Sequence, residues 1–156
     1  MNRYRTLLSG LISLMVSATA VAQQPLANAA STSWKAFSTT AMAITGDIVM
    51  SPDSITFANG DSLKLQIVDS AASTGQTLYK VLGRRNPTLL NGNHLCGTQA
   101  VNYLLTEPIQ MFANQRDLQL SVYLYPDVLR LKDLPLKDQS DPMRSLCAIY
   151  TYLSAS

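Results

Sequence analysis

Apolar and polar residues alternate with a period of two along this chain, and no other feature of the sequence constrains the fold as much. In Ser62-Leu63-Lys64-Leu65-Gln66-Ile67, the residues Leu63, Leu65 and Ile67 share one face of a pleated strand while Ser62, Lys64 and Gln66 share the other. Leu118, Leu120, Val122 and Leu124 alternate in the same way with Gln119, Ser121, Tyr123 and Tyr125. A helix would scatter either stripe around its circumference, so both runs are half-buried strands.

The remaining runs fit around these two. Ser54 to Phe57 precedes the first stripe across Asn59-Gly60, a pair that tolerates positive φ, so the two segments form a hairpin. Ser51-Pro52-Asp53 is a turn, and Ala41 to Met50 is a strand before it, which gives a three-strand meander. A small polar loop from Asp69 to Gly75 leads to a strand from Gln76 to Leu82, and Gly83 to His94 is a long loop rich in turn residues. The next strand runs from Thr98 to Leu105, followed by a short strand at Gln110 to Ala113 and a turn at Asn114 to Asp117. A second long connection, Pro126 to Arg144, precedes a closing strand in which Cys147, Ile149, Thr151 and Leu153 face one way and Ala148, Tyr150 and Tyr152 the other. Seven or eight short strands with no helix longer than two turns indicate an all-β fold, a small antiparallel barrel or a sandwich. The barrel is preferred, because closure removes exposed edges and brings the last strand beside early ones.

The first residues carry an address. Arg3 and Arg5 precede a short apolar run, Leu7 to Val16, and Ala20-Val21-Ala22 follows at the spacing of a cleavage site, so residues 1–22 read as a signal peptide cut before Gln23. Ala27-Asn28-Ala29 is a second candidate. A bilayer needs roughly 20 apolar residues as helix, so the run is too short for a membrane anchor. Residues 23–33 are a flexible lead of small residues, and 34–156 are a single β domain. Without residues 1–22 the charges balance, ten basic against ten acidic, which removes any general attraction to nucleic acid or anionic membrane. The expected location is periplasmic or secreted.

Cysteine usage agrees with that address. Cys96 and Cys147 are the only two, and an oxidising compartment lets an even pair close a disulfide that pins the closing strand at its start.

Catalytic signatures are sparse. His94 is the single histidine, and no H-E-x-x-H, C-x-x-C or G-x-S-x-G pattern occurs, so neither a metal site nor a cofactor is expected. Asp47, Asp53, Asp61, Asp117 and Asp127 fall where short carboxylates stabilise turns and strand ends. Arg84 and Arg85 form the densest local positive charge and could hold a carboxylate or phosphate. Tyr123 with Tyr125, and Tyr150 with Tyr152, would form a recognition patch if they face outward. The first expectation is therefore a non-enzymatic binding module of a bacterial-type envelope that recognises a protein or small ligand through its two long loops or a tyrosine-rich sheet face. Arg84, Arg85, His94, Tyr123, Tyr125, Tyr150 and Tyr152 are its candidate contacts. The alternatives are a small hydrolase that uses His94 as base, or a structural or assembly protein of the envelope.

Overall fold

The computed structural model describes residues 30–124, 130–133 and 146–155. The expected signal peptide with both cleavage sites, Tyr125, and most of the Pro126 to Arg144 connection lie outside the described residues. In chain order the elements are β1 (Thr32–Ala36), α1 (Thr39–Ile44), β2 (Ile48–Ser51), β3 (Ser54–Phe57), β4 (Ser62–Ala71), β5 (Gln76–Leu82), β6 (Leu95–Thr98), β7 (Tyr103–Ile109), β8 (Asp117–Tyr123) and β9 (Leu146–Ser154). Eight of these strands close into a barrel in the order β1-β2-β3-β4-β5-β7-β8-β9, with β6 standing outside it. Every neighbouring pair is antiparallel, and β9 returns to β1 with Trp34 opposite Ser154 and Ala36 opposite Tyr152. The architecture is the barrel, not the sandwich.

The period-two stripes point inward. Leu63 and Leu65 of β4 and Leu118, Leu120 and Val122 of β8 join Ile48, Met50, Ile55, Phe57, Tyr79, Val81 and Leu104 in one buried core. The β3–β4 hairpin turns at Gly60, whose φ of +85° any residue with a Cβ would adopt only under strain. Short carboxylates tie the strand ends together as their positions suggest. Asp47 Oδ1 accepts the Ala36 N–H at 2.9 Å, Asp53 Oδ1 the Ser51 hydroxyl at 2.7 Å, Asp61 Oδ1 the Ser62 N–H at 3.2 Å, and Asp117 Oδ2 the Met111 N–H at 2.8 Å.

Several boundaries differ from the expectation. The segment Ala41 to Met50 is not one strand, because Ser38 starts a helix there: its Oγ accepts the Ala41 N–H at 3.1 Å, and Gly46 at φ +60° ends the turn before β2. β1 begins at Thr32, inside the stretch expected to be lead. β4 extends to Ala71 through what was expected to be loop, with a bulge between Ile67 and Asp69. The strand expected at Thr98 to Leu105 is split into β6 and β7, and β7 continues to Ile109, so no separate strand occupies Gln110 to Ala113.

The two ends of the barrel are built differently. At one end α1 and the 83–102 excursion close over the core, placing Ala41, Leu89, Leu95 and Val101 in it. Tyr150 and Tyr152 fill the interior below them. Their hydroxyls reach the closing layer, Tyr150 donating to the Leu95 carbonyl at 2.8 Å and Tyr152 meeting Thr45 Oγ1 at 2.7 Å. Cys96 and Cys147 are disulfide-bonded with a Cα–Cα distance of 5.9 Å, which fastens β6 to the start of β9. At the opposite end the antiparallel order gathers the start of β1, the short β2–β3 and β4–β5 turns, the β7–β8 turn and the end of β9.

Candidate functional site: the open mouth of the barrel

No helix or excursion covers that second end among the described residues, and the core gives way there to a pocket of about 240 Å³. Its wall is assembled from strand ends: Thr32 and Trp34 of β1, Met50 and Ser51 of β2, Ile67 of β4, Tyr79 of β5, Thr106 of β7 and Leu118 of β8. Alternation places each of these by simple parity. Trp34 shares its face with Ala36, Tyr79 with Val81, and Thr106 with Leu104, all of them inward positions. Ile67 continues the Leu63 and Leu65 stripe but is 47% exposed, because it reaches the rim where the interior opens to solvent. Trp34, the single tryptophan of the chain, is half-buried in the same wall.

The pocket carries no Asp, Glu, Lys or Arg among its described lining residues. Its polar groups are hydroxyls. Burial pushes the ionisation of Tyr79 above the ordinary tyrosine range, an effect that the neighbouring Thr106 and Thr77 side chains reduce. Thr106 Oγ1 donates to the Thr77 carbonyl at 3.3 Å. The described lining residues offer apolar surface and a few hydroxyls. The described residues contain no cluster of three or more His, Cys, Asp or Glu that could hold a metal ion.

The residues singled out from sequence lie elsewhere. Arg84 is exposed and sits 3.5 Å from the Asp61 carboxylate, a solvated pair of small energetic weight. Arg85 donates to Asn102 Oδ1, and His94 Nδ1 meets the Pro87 carbonyl at 2.8 Å, so both side chains brace the excursion at the closed end. Among the described residues, the tyrosines do not form an outward patch. Tyr150 and Tyr152 are fully buried inside the barrel because the residues opposite them in alternation, Ile149 and Thr151, take the outer face. Tyr123 does point outward, yet it is covered: with Leu78, Tyr103 and Leu105 it forms a second apolar cluster, packed under Val68, Leu131 and Leu146. Tyr125 lies outside the described residues.

Among the mouth residues, Ile67 and Leu118 stood on recognised stripes, but nothing marked them as rim positions. Trp34 was the one available signal, a large amphipathic side chain placed where the first strand begins. Comparison with known proteins gives no matching family model, no similar curated protein and no similar solved structure.

Proposed function

We propose that this protein is an exported, non-enzymatic binding module whose barrel mouth takes a small neutral apolar molecule. The observation that carries the reading is the pocket itself: about 240 Å³, walled by Trp34, Met50, Ile67, Tyr79 and Leu118, with no charged side chain among its described lining residues. A dry apolar cavity of roughly 150 Å³ accepts a benzene-sized ring, so this one suits a molecule on the order of ten non-hydrogen atoms. The disulfide supports export to an oxidising compartment, periplasmic or secreted. The contact of His94 with a backbone carbonyl, in place of a serine or carboxylate, favours binding over the hydrolase alternative.

Backbone NMR during titration with cyclohexanol and methylcyclohexane tests the assignment. Saturable shifts centred on Trp34, Met50, Ile67, Tyr79 and Leu118 are expected. Thr32→Phe should abolish them, since the inward-facing Thr32 stands at the entrance. Shifts that centre on Arg84 to His94, or that survive Thr32→Phe unchanged, reject the mouth as the site.

A further inference from the structure

We infer that the outer wall formed by β4 and β5 docks the protein on an anionic lipid surface, independently of the mouth. The charges of residues 23–156 balance in sum, but they are not spread evenly over the barrel. Lys64 of β4 stands opposite Leu82 of β5, and Lys80 stands opposite Gln66, so the two lysines are diagonal neighbours on one face. That face is the outer one, because the alternating residues Leu63, Leu65 and Val81 point into the core. Both lysines are exposed, and neither has an ion-pair partner among the described residues. Diagonal neighbours across antiparallel strands lie about 7–8 Å apart, where like charges repel. Just beyond β5, Arg84 and Arg85 add two more exposed cations. Asp61 offsets Arg84 alone, at 3.5 Å, while Arg85 meets the neutral side chain of Asn102. Within this basic ground lies Leu82, an apolar side chain left 38% exposed.

The chemistry of the wall suits an extended anionic surface. A lysine ammonium on its long stem is a mobile, strongly hydrated point charge without the fixed fork that grips one particular ligand. Lysines around an exposed leucine reach phosphate groups while the leucine enters the headgroup layer. An acidic peptide commonly binds by adding a strand to a free sheet edge. β4 is paired with β3 and β5, and β5 with β4 and β7, so this wall offers no such edge.

The test is co-sedimentation of the disulfide-bonded chain beginning at Gln23, which holds every described residue and lacks the apolar run Leu7 to Val16. The vesicles are phosphatidylcholine alone, or phosphatidylcholine and phosphatidylglycerol in equal parts. Binding is expected to the mixed vesicles only, and should be lost at high salt. Lys64→Gln and Lys80→Gln should each weaken it about fivefold, and together about 25-fold. Lys35→Gln removes the same charge from an exposed position on β1 and should leave binding unchanged. All three lysines are exposed, so the barrel does not depend on them. Equal binding to both kinds of vesicle, binding to neither, or an equal loss in Lys35→Gln overturns the inference and leaves the mouth reading untouched. Tighter binding to polyglutamate than to the mixed vesicles, lost in the same two variants, assigns the wall to an acidic chain and overturns the lipid surface.

Discussion

The Thr45 hydroxyl lies 2.7 Å from the Tyr152 phenol, and both residues are fully buried. This bond joins the end of α1 to the last strand, so the closing layer of the barrel and the strand that completes its wall depend on each other. Thr45 Oγ1 also lies 3.1 Å from the Ala41 carbonyl, which orients it. Thr45→Val leaves the Tyr152 hydroxyl buried without this partner and should cost about 1–3 kcal/mol. Urea unfolding of both single variants and of Thr45→Val with Tyr152→Phe checks it: the double variant should lose less than the sum of the singles.

Alkaline pH should unfold the protein through its interior tyrosines. Burial pushes Tyr150 up to about 12 and raises Tyr152 further, and it also raises Tyr79 and Tyr123. A free tyrosine ionises near pH 10, so the unfolded chain loses these protons before the folded one. The stabilisation is fully present below about pH 10 and is lost as pH rises through the folded values, with a slope of about 1.4 kcal/mol per pH unit for each tyrosine involved. Denaturant midpoints from pH 8 upward should be flat and then fall steeply. Tyr150→Phe should make the fall shallower.

The disulfide spans a sequence separation of 51 residues, for which the chain-entropy treatment gives about 4 kcal/mol. Because it fastens β6 to the start of β9, its loss also loosens the strand that closes the barrel. Thermal unfolding with and without reductant, and of Cys96→Ala with Cys147→Ala, should show a large drop in midpoint in both cases. An unchanged midpoint means the closing strand is held by its ladders alone.

Gly46 combines a left-handed backbone with a close approach: a Cβ there would collide with the Ala58 Cβ and press on the Leu90 side chain. Gly46→Ala should therefore destabilise by about 1–3 kcal/mol. Gly60→Ala, with φ +85° but open space around it, should cost less, since it adds strain without a collision. Parallel denaturation of the two separates collision from strain.

How far the sequence revealed this fold depended on whether apolar residues occupy one face of a strand or both. β4 and β8 show clean alternation at Leu63–Leu65 and Leu118–Leu120–Val122, and β5 was recognised at its observed bounds, Gln76–Leu82. β7 was misplaced because Tyr103, Leu104, Leu105 and Thr106 are all buried, the outer face lying under the second apolar cluster, so no period of two survives. The helix was missed because six residues are too few to display a helical period, and its start rests on the Ser38 cap. The pairing of Cys96 with Cys147 followed from count and compartment alone. The mouth was not legible, because its wall comes from six strands far apart in sequence, and no local pattern distinguishes an inward residue at the rim from one in the middle. The tyrosines misled for a related reason: alternation says that Tyr150 and Tyr152 share a face with Ala148, but not which face is inside.

The most direct test reads Trp34, the only tryptophan, which stands in the wall of the mouth. Its emission should shift saturably to the blue as cyclohexanol displaces water from the pocket, and Thr32→Phe should remove the response. An emission that stays constant, or drifts linearly without saturation in both proteins, contradicts a ligand-binding mouth.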